Sequence, residues 1–195
     1  MKIASLDPSF SCTGIALFDS GKKEFTLTCL KGDGQKHKKF IDIQQSIHSY
    51  TIHNLENILE GIDSLITEEP FPFGMFSSGL FALDTAICQH FFTVLKQTYN
   101  PRTLEFIHSC KAHKKSQSVS LCNNLISILS DSGYSFIRKS KGNDAAEAFI
   151  YLIHYMLENN LFEIQLKNKI NSLNNKLGLS PDEIKQMKKK RDLSR

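Results

Sequence analysis

The first thirty-one residues constrain the fold of this chain more than any other segment. "KIASLD" (2–7), "TGIALFD" (13–19) and "EFTLTCL" (24–30) are short runs of strand character, and the turn sequence "DSGKK" joins the second to the third. Strands linked this tightly pair antiparallel, because a parallel return needs a crossover of about a dozen residues or more. The segment therefore reads as an antiparallel meander. It also poses a problem: Asp7 follows an apolar run directly and precedes a proline, so a carboxylate stands at the end of a strand.

Beyond residue 31 the pattern is α/β. From Phe40 to about Leu59 apolar residues recur at Ile43, Ile47, Tyr50 or Thr51, Leu55 and Ile58, which fits one helical face. "SLIT" (64–67) is a buried-strand pattern, stopped by "EEPFPFG" because proline cannot continue a ladder. A largely apolar helix is predicted over 78–98, a strand over 103–109 ("TLEFIHS"), and a helix from about Ser116 to Ser130. A short strand follows at "YSFIR", then a helix opening at Asn143. In the tail, Leu166, Ile170, Leu173 and Leu177 form a narrow stripe, Gly178 is a helix stop, and "SPDE" (180–183) restarts a helix with Ser180 as cap. Such a hairpin can fold back on the domain, pair with a second subunit or lie along DNA; packing or pairing is the favoured reading.

A chain of 195 residues with 41% apolar composition supports one domain with a real core and an appendage. No apolar run approaches the roughly 18 residues of a membrane span, and the start lacks a secretory pattern, so a cytoplasmic protein without membrane partners is expected. Cys12, Cys29, Cys88, Cys110 and Cys122 are odd in number and never form a CxxC pair. Neither a disulfide framework nor a zinc site is indicated, and reduced, packed thiols are expected. The net charge of +4 is modest, but lysines cluster at 31–39, 110–115, 138–142 and 185–191, which suits a polyanion partner as well as a plain solvated surface.

The acids carry the chemistry. Asp7 ends the first strand, Glu68 and Glu69 end the fourth, and Asp144 and Glu147 stand three apart on one helical face. Each has an ordinary explanation taken alone. Asp7 is a turn residue before proline, the glutamates are surface groups, and Asp144 with Asn143 makes a helix cap. Jointly they describe carboxylates whose mutual repulsion a cation would relieve. Hard oxygen ligands of this kind select magnesium or manganese, the ions that activate water for attack on phosphorus.

"SLDPSFSCTGIALFD", "LITEEPFPFG" and "GNDAAEAFIYLIHY" resemble the three acidic motifs of the RuvC family of Holliday-junction resolvases, in its phage and viral branch, over residues 1–157. The resemblance implies an RNase H-like fold: a mixed five-stranded sheet with an antiparallel opening, flanked by helices. Residues 158–195 would be a basic helical extension. It implies Asp7, Glu68, Asp144 and Glu147 as ligands for Mg2+, with Mn2+ substituting. Glu69 becomes a neighbour, and Glu147 stands where the bacterial enzymes commonly carry aspartate. Phe71 would stack on bases at the crossover, and Lys115, with Lys111 as a second candidate, would meet the phosphate of the cleaved strand. Lys36, Lys38, Lys39 and Lys141 are further candidates for DNA contact. The implied activity is symmetric nicking of four-way junctions by a homodimer joined through the helix at 78–98, in a host cytoplasm if the chain is phage-encoded. Two other readings stay open: a junction-binding module of the same fold without activity, and a fragment of an actin-like nucleotide-binding fold, suggested by Asp7 and Thr13-Gly14.

Overall fold

The computed structural model describes residues 1–9, 11–32, 51–69, 77–99 and 115–177. The opening meander is present as β1 (Lys2–Asp7), β2 (Cys12–Asp19) and β3 (Glu24–Lys31). Both pairings are antiparallel, with Asp7 opposite Gly14 and Gly14 opposite Cys29. Asp19 shapes the second turn, its Oδ1 accepting the Gly21 N–H at 2.9 Å and the Lys22 N–H at 3.3 Å. The other strands are β4 (Ser64–Glu68), β5 (Leu95–Tyr99) and β6 (Ser135–Arg138). β4 runs parallel to β1, β5 parallel to β4, and β6 parallel to β3, giving the sheet order β5-β4-β1-β2-β3-β6.

Alternation along the strands sorts the core into two layers. Ile3, Ala16, Phe18, Phe25, Leu27 and Ile66 point to the face covered by α3 (Lys115–Ser130), α4 (Asn143–Glu158) and α5 (Ile164–Leu177). Ala4, Leu6, Ile15 and Leu65 point to the opposite face, where α1 (His53–Ile58) contributes Leu55 and α2 (Ser77–His90) contributes Leu83 and Ile87. α4 is the central helix. It buries residues around most of its circumference, from Ala145 to Leu157, because the sheet lies on one side and α3 on another. Phe25 anchors this layer, stacked on Phe18 at 4.6 Å and on Phe136 at 5.2 Å, and meeting Phe149 edge-on at 5.5 Å.

Three expectations need correction. The helix predicted over 78–98 ends at His90, and Leu95–Tyr99 form a strand, so the described residues hold six strands rather than five. The apolar residues before it carried the helical reading too far, because Leu95–Tyr99 is a largely polar, half-exposed segment with no strong pattern of its own; the open edge of β4, which accepts it as a parallel neighbour, decides it. Asn143 is the first helical residue of α4 and Gly142 its cap, not the Asn143–Asp144 pair. Finally, Cys12 and Cys29 are joined as a disulfide instead of standing as separate thiols. Scanning for CxxC spacing does not detect two cysteines placed diagonally across paired strands. The first part of the helix predicted from Phe40, the strand predicted over 103–109 and the helix restart at 180–183 lie outside the described residues.

The start of the tail packs on the domain: Phe162, Leu166 and Ile170 are buried in the same layer as α4. Among the described residues no helix is long and apolar enough to cross a membrane. Ile170→Ala should cost about 2–5 kcal/mol of unfolding free energy in urea titrations, whereas alanine at exposed Lys169 should change it by less than about 0.5 kcal/mol. Equal effects would mean that α5 does not dock as described.

Candidate active site

β1 and β4 lie side by side and parallel, with Ile3 level with Ser64 and Ser5 level with Ile66. Two residues further on, Asp7 and Glu68 close their strands at the same edge of the sheet. Both follow the alternation of Ile3 and Ile66, so both face α4. Asp7 is buried and Glu68 half-buried. Glu69, one residue on, is exposed, and its N–H donates to the Tyr99 carbonyl at 2.9 Å. The two adjacent glutamates are thus separated by strand geometry, with Glu68 on the α4 side.

α4 brings the other acids. Gly14, in the middle row between Asp7 and Cys29, lies directly beneath the first turn of the helix. A Cβ at this position would run into the carbonyl of Asp144 and the backbone of Ala145. Glycine here has nothing to do with turn conformation; it permits backbone-to-backbone contact between sheet and helix. Asp144, the second residue of α4, therefore stands over β2, Glu147 follows one turn later, and Tyr151 one turn after that on the same face.

Tyr151 reports how the acids are gathered. Its ring is fully buried and its hydroxyl donates to Glu68 Oε2 at 3.4 Å. Burial, followed by the charges of Asp7, Glu68 and Glu147, pushes its ionisation far above the ordinary range. The phenol stays protonated and serves as a donor amid three carboxylates. Ser118 of α3, also buried, donates to Glu147 Oε1 at 3.2 Å. Asp144 instead stands beside the cysteine pair: a carboxylate oxygen of Asp144 and the sulfurs of Cys12 and Cys29 all lie within 4.8 Å of one another. Among the described residues this is the group of possible metal ligands drawn that close; the four carboxylates do not form one.

Other predicted site residues fare unevenly. Lys141 is exposed just before α4. Lys115 begins α3, with the placement of its side chain outside the described structure, and Lys36, Lys38, Lys39, Phe71 and Lys111 lie outside the described residues altogether.

Sequence reasoning missed Asp84. It is buried in α2, its Oδ1 has no hydrogen-bond partner among the described residues, and it neighbours Glu68 electrostatically. Burial first and the Glu68 charge second push its pKa up to about 8. A lone acid inside the apolar run "LFALDTAIC" was the available signal. Tyr151 was legible too, four residues after Glu147 on its helix.

No protein-family model matches the sequence, and no curated protein matches it either. Solved structures do resemble the fold. Thermus thermophilus RuvC in complex with a Holliday junction substrate superposes with a TM-score of 0.51 at 13% identity, covering 82% of this chain and 95% of that one. A second structure of Thermus thermophilus RuvC gives 0.48 at 17% identity, covering 82% and 96%. The human cytomegalovirus terminase nuclease domain gives 0.35 at 14% identity, covering 79% and 76%. The fold is RNase H-like. An antiparallel β1-β2-β3, followed by parallel β4 and a central helix bearing acids, is the arrangement described above.

Two predictions test this geometry. Gly14→Ala should destabilise the protein by about 1–3 kcal/mol in urea titrations, since α4 must shift off the sheet to admit one methyl group; a neutral effect would contradict the close contact. The second concerns Asp84, whose folded pKa of about 8 exceeds the ordinary 3.8. The folded state holds a proton there that the unfolded state has released. Stability should therefore fall as pH rises from about 4 to about 8, by at most about 1.4 kcal/mol per pH unit from this group. Asp84→Asn should flatten that slope and exceed wild type in stability at pH 8; parallel profiles would refute the assignment.

Proposed function

We propose that the chain is a structure-selective, divalent-metal-dependent endonuclease that resolves Holliday junctions and other branched DNA by paired nicks, leaving 5′-phosphate and 3′-hydroxyl ends. One observation carries this reading: on an RNase H-like sheet, Asp7 and Glu68 end neighbouring parallel strands and, with Glu147, act on the same buried Tyr151. The junction substrate of the Thermus thermophilus RuvC complex supports branched DNA as the ligand.

The donor set fits magnesium or manganese. Asp7, Glu68, Asp144 and Glu147 offer hard carboxylate oxygens and no competing nitrogen ligand, and the crowding of negative charge around Tyr151 is what a cation would offset. Divalent ions held by these residues would supply Lewis acidity at the phosphate and activation of the attacking water. The protein's own part is positional. The two strand ends fix Asp7 and Glu68 at one level, α4 carries Asp144 and Glu147 across them, and Ser118 and Tyr151 orient Glu147 and Glu68 through their hydroxyls. Lys115, Lys111, Lys141, Lys36, Lys38 and Lys39 would neutralise backbone phosphates, so that binding weakens as salt rises. Phe71 would stack on a base at the branch.

Two nicks related by symmetry need two active sites, and we assign the pairing of two chains to α2 and the turn after it. Leu80, Phe81 and Phe92 are large apolar side chains left exposed there, Phe92 at 76%. That patch supports a partner surface.

A labelled four-way junction and a matched linear duplex, each incubated with magnesium or chelator, test the proposal. Wild type should nick the junction in pairs near the branch only with metal, while Asp7→Asn should lose at least about a hundredfold in cleavage rate and keep junction affinity. Tight junction binding without cleavage in any divalent metal would favour a binding module, and indifference to both DNAs would overturn the family reading.

A further inference from the structure

Cys12 and Cys29 occupy adjacent antiparallel strands on the face that meets the first turn of α4. Their Cα atoms are 6.0 Å apart. Cys29 lies opposite Gly14, and Cys12 two residues before it on the same face, so no side chain at position 14 stands between the sulfurs and the start of the helix. Asp144 completes the group, and all three residues are half-buried, within reach of an ion and partly shielded from water.

We propose that in the reduced protein Cys12, Cys29 and Asp144 bind one thiophilic divalent cation of the zinc class, and that this ion competes for Asp144 with the cation held by the carboxylates. The competition rests on the function proposed above; the thiolate site does not. Zinc–sulfur bonds are about 2.3 Å and zinc–oxygen bonds about 2.0–2.2 Å, so ligand atoms on one ion stand at most about 4.6 Å apart. The three ligand atoms lie within 4.8 Å of one another with the sulfurs still bonded, so side-chain rotation on reduction is enough to set them around one ion. Thiolates select zinc and exclude magnesium, which separates this site in chemistry from the oxygen set.

The step balances simply. A dithiol reductant gives two electrons and two protons to the sulfur–sulfur bond, leaving two protein thiols and its own disulfide. On metal binding each thiol releases its proton, two per ion.

Cadmium reports the site through its thiolate charge-transfer absorbance. The full-length protein is reduced with a dithiol, desalted without oxygen and titrated with Cd2+. Reduced wild type should show a band that saturates at one ion per chain. The disulfide-bonded wild type should not, which tests the site without any substitution, and neither should Cys12→Ser or Cys29→Ser. Replacing Cys88, Cys110 and Cys122 together by serine should leave the band in place, and Asp144→Asn should weaken cadmium binding tenfold or more. Excess Mg2+ should weaken it in wild type but not further in Asp144→Asn. No band in reduced wild type, or a band that survives Cys29→Ser, would overturn the site; affinity indifferent to Mg2+ and to Asp144→Asn would overturn the competition. None of these readings involves DNA, so failure of the nuclease assignment would be seen separately.

Discussion

The contact between Gly14 and the first turn of α4 is the constraint on which the rest of the site depends. A helix that covers a sheet normally rests on it through the side chains of both, which hold the two backbones apart. Here its opening carbonyl reaches the strand backbone itself, which only a residue without a Cβ allows. Ala145, Ala146 and Ala148 keep the following turns slim and buried, so the helix stays low over β2 and β1. Asp144 and Glu147 gain their position from this seating. Without it, two acids at the start of a helix would be ordinary partners of its dipole.

The parallel pairing of β1 with β4 does the corresponding work for the strand acids. Parallel neighbours end at the same edge, so carboxylates at their last residues stand abreast; antiparallel neighbours would put them at opposite edges. Gathering charge in this way has a cost that falls on the surroundings. Tyr151 is held as a neutral donor by burial and three acids, and Asp84, behind Glu68, is held towards its protonated form for the same two reasons. Two titratable groups with no place in a bare motif are thus tied electrostatically to residues that have one.

What could be read in the sequence followed from local pattern. The meander, β4, β6, α3 and α4 are all encoded by alternation, helical periodicity and turn residues, and the three acidic segments lie at the ends of those elements. Leu95–Tyr99 was not legible, because its identity as a strand is set by the vacant edge of β4 rather than by its own residues. The Cys12–Cys29 pair failed for a related reason. The two stand seventeen positions apart in sequence, and only the register of β2 on β3 makes them neighbours. Asp84 illustrates a third kind of miss: its character comes from burial against another element, which a helical pattern reveals only as an acid out of place. Glu68 was set before Glu69 by the resemblance of the motif alone, and the two-residue period of β4 turns Glu68 to the α4 side and leaves Glu69 exposed.

Asp144 is where these lines meet. As the second residue of α4 it sits in the half-positive first turn of the helix. The same turn rests on Gly14, whose neighbours in the row are Asp7 on one side and Cys29 on the other. An acid placed there borders an oxygen-rich set towards β1 and a sulfur pair towards β3. On the function and the thiolate site proposed above, hard cations would take the first and soft cations the second, and the preference would turn on whether the sulfurs are bonded to each other. With the disulfide closed, both sulfurs are withdrawn from ligation, which leaves carboxylate oxygens as the possible donors there. Because β2 carries both Cys12 and Gly14, the proposed preference would be built into the same strand that seats the helix.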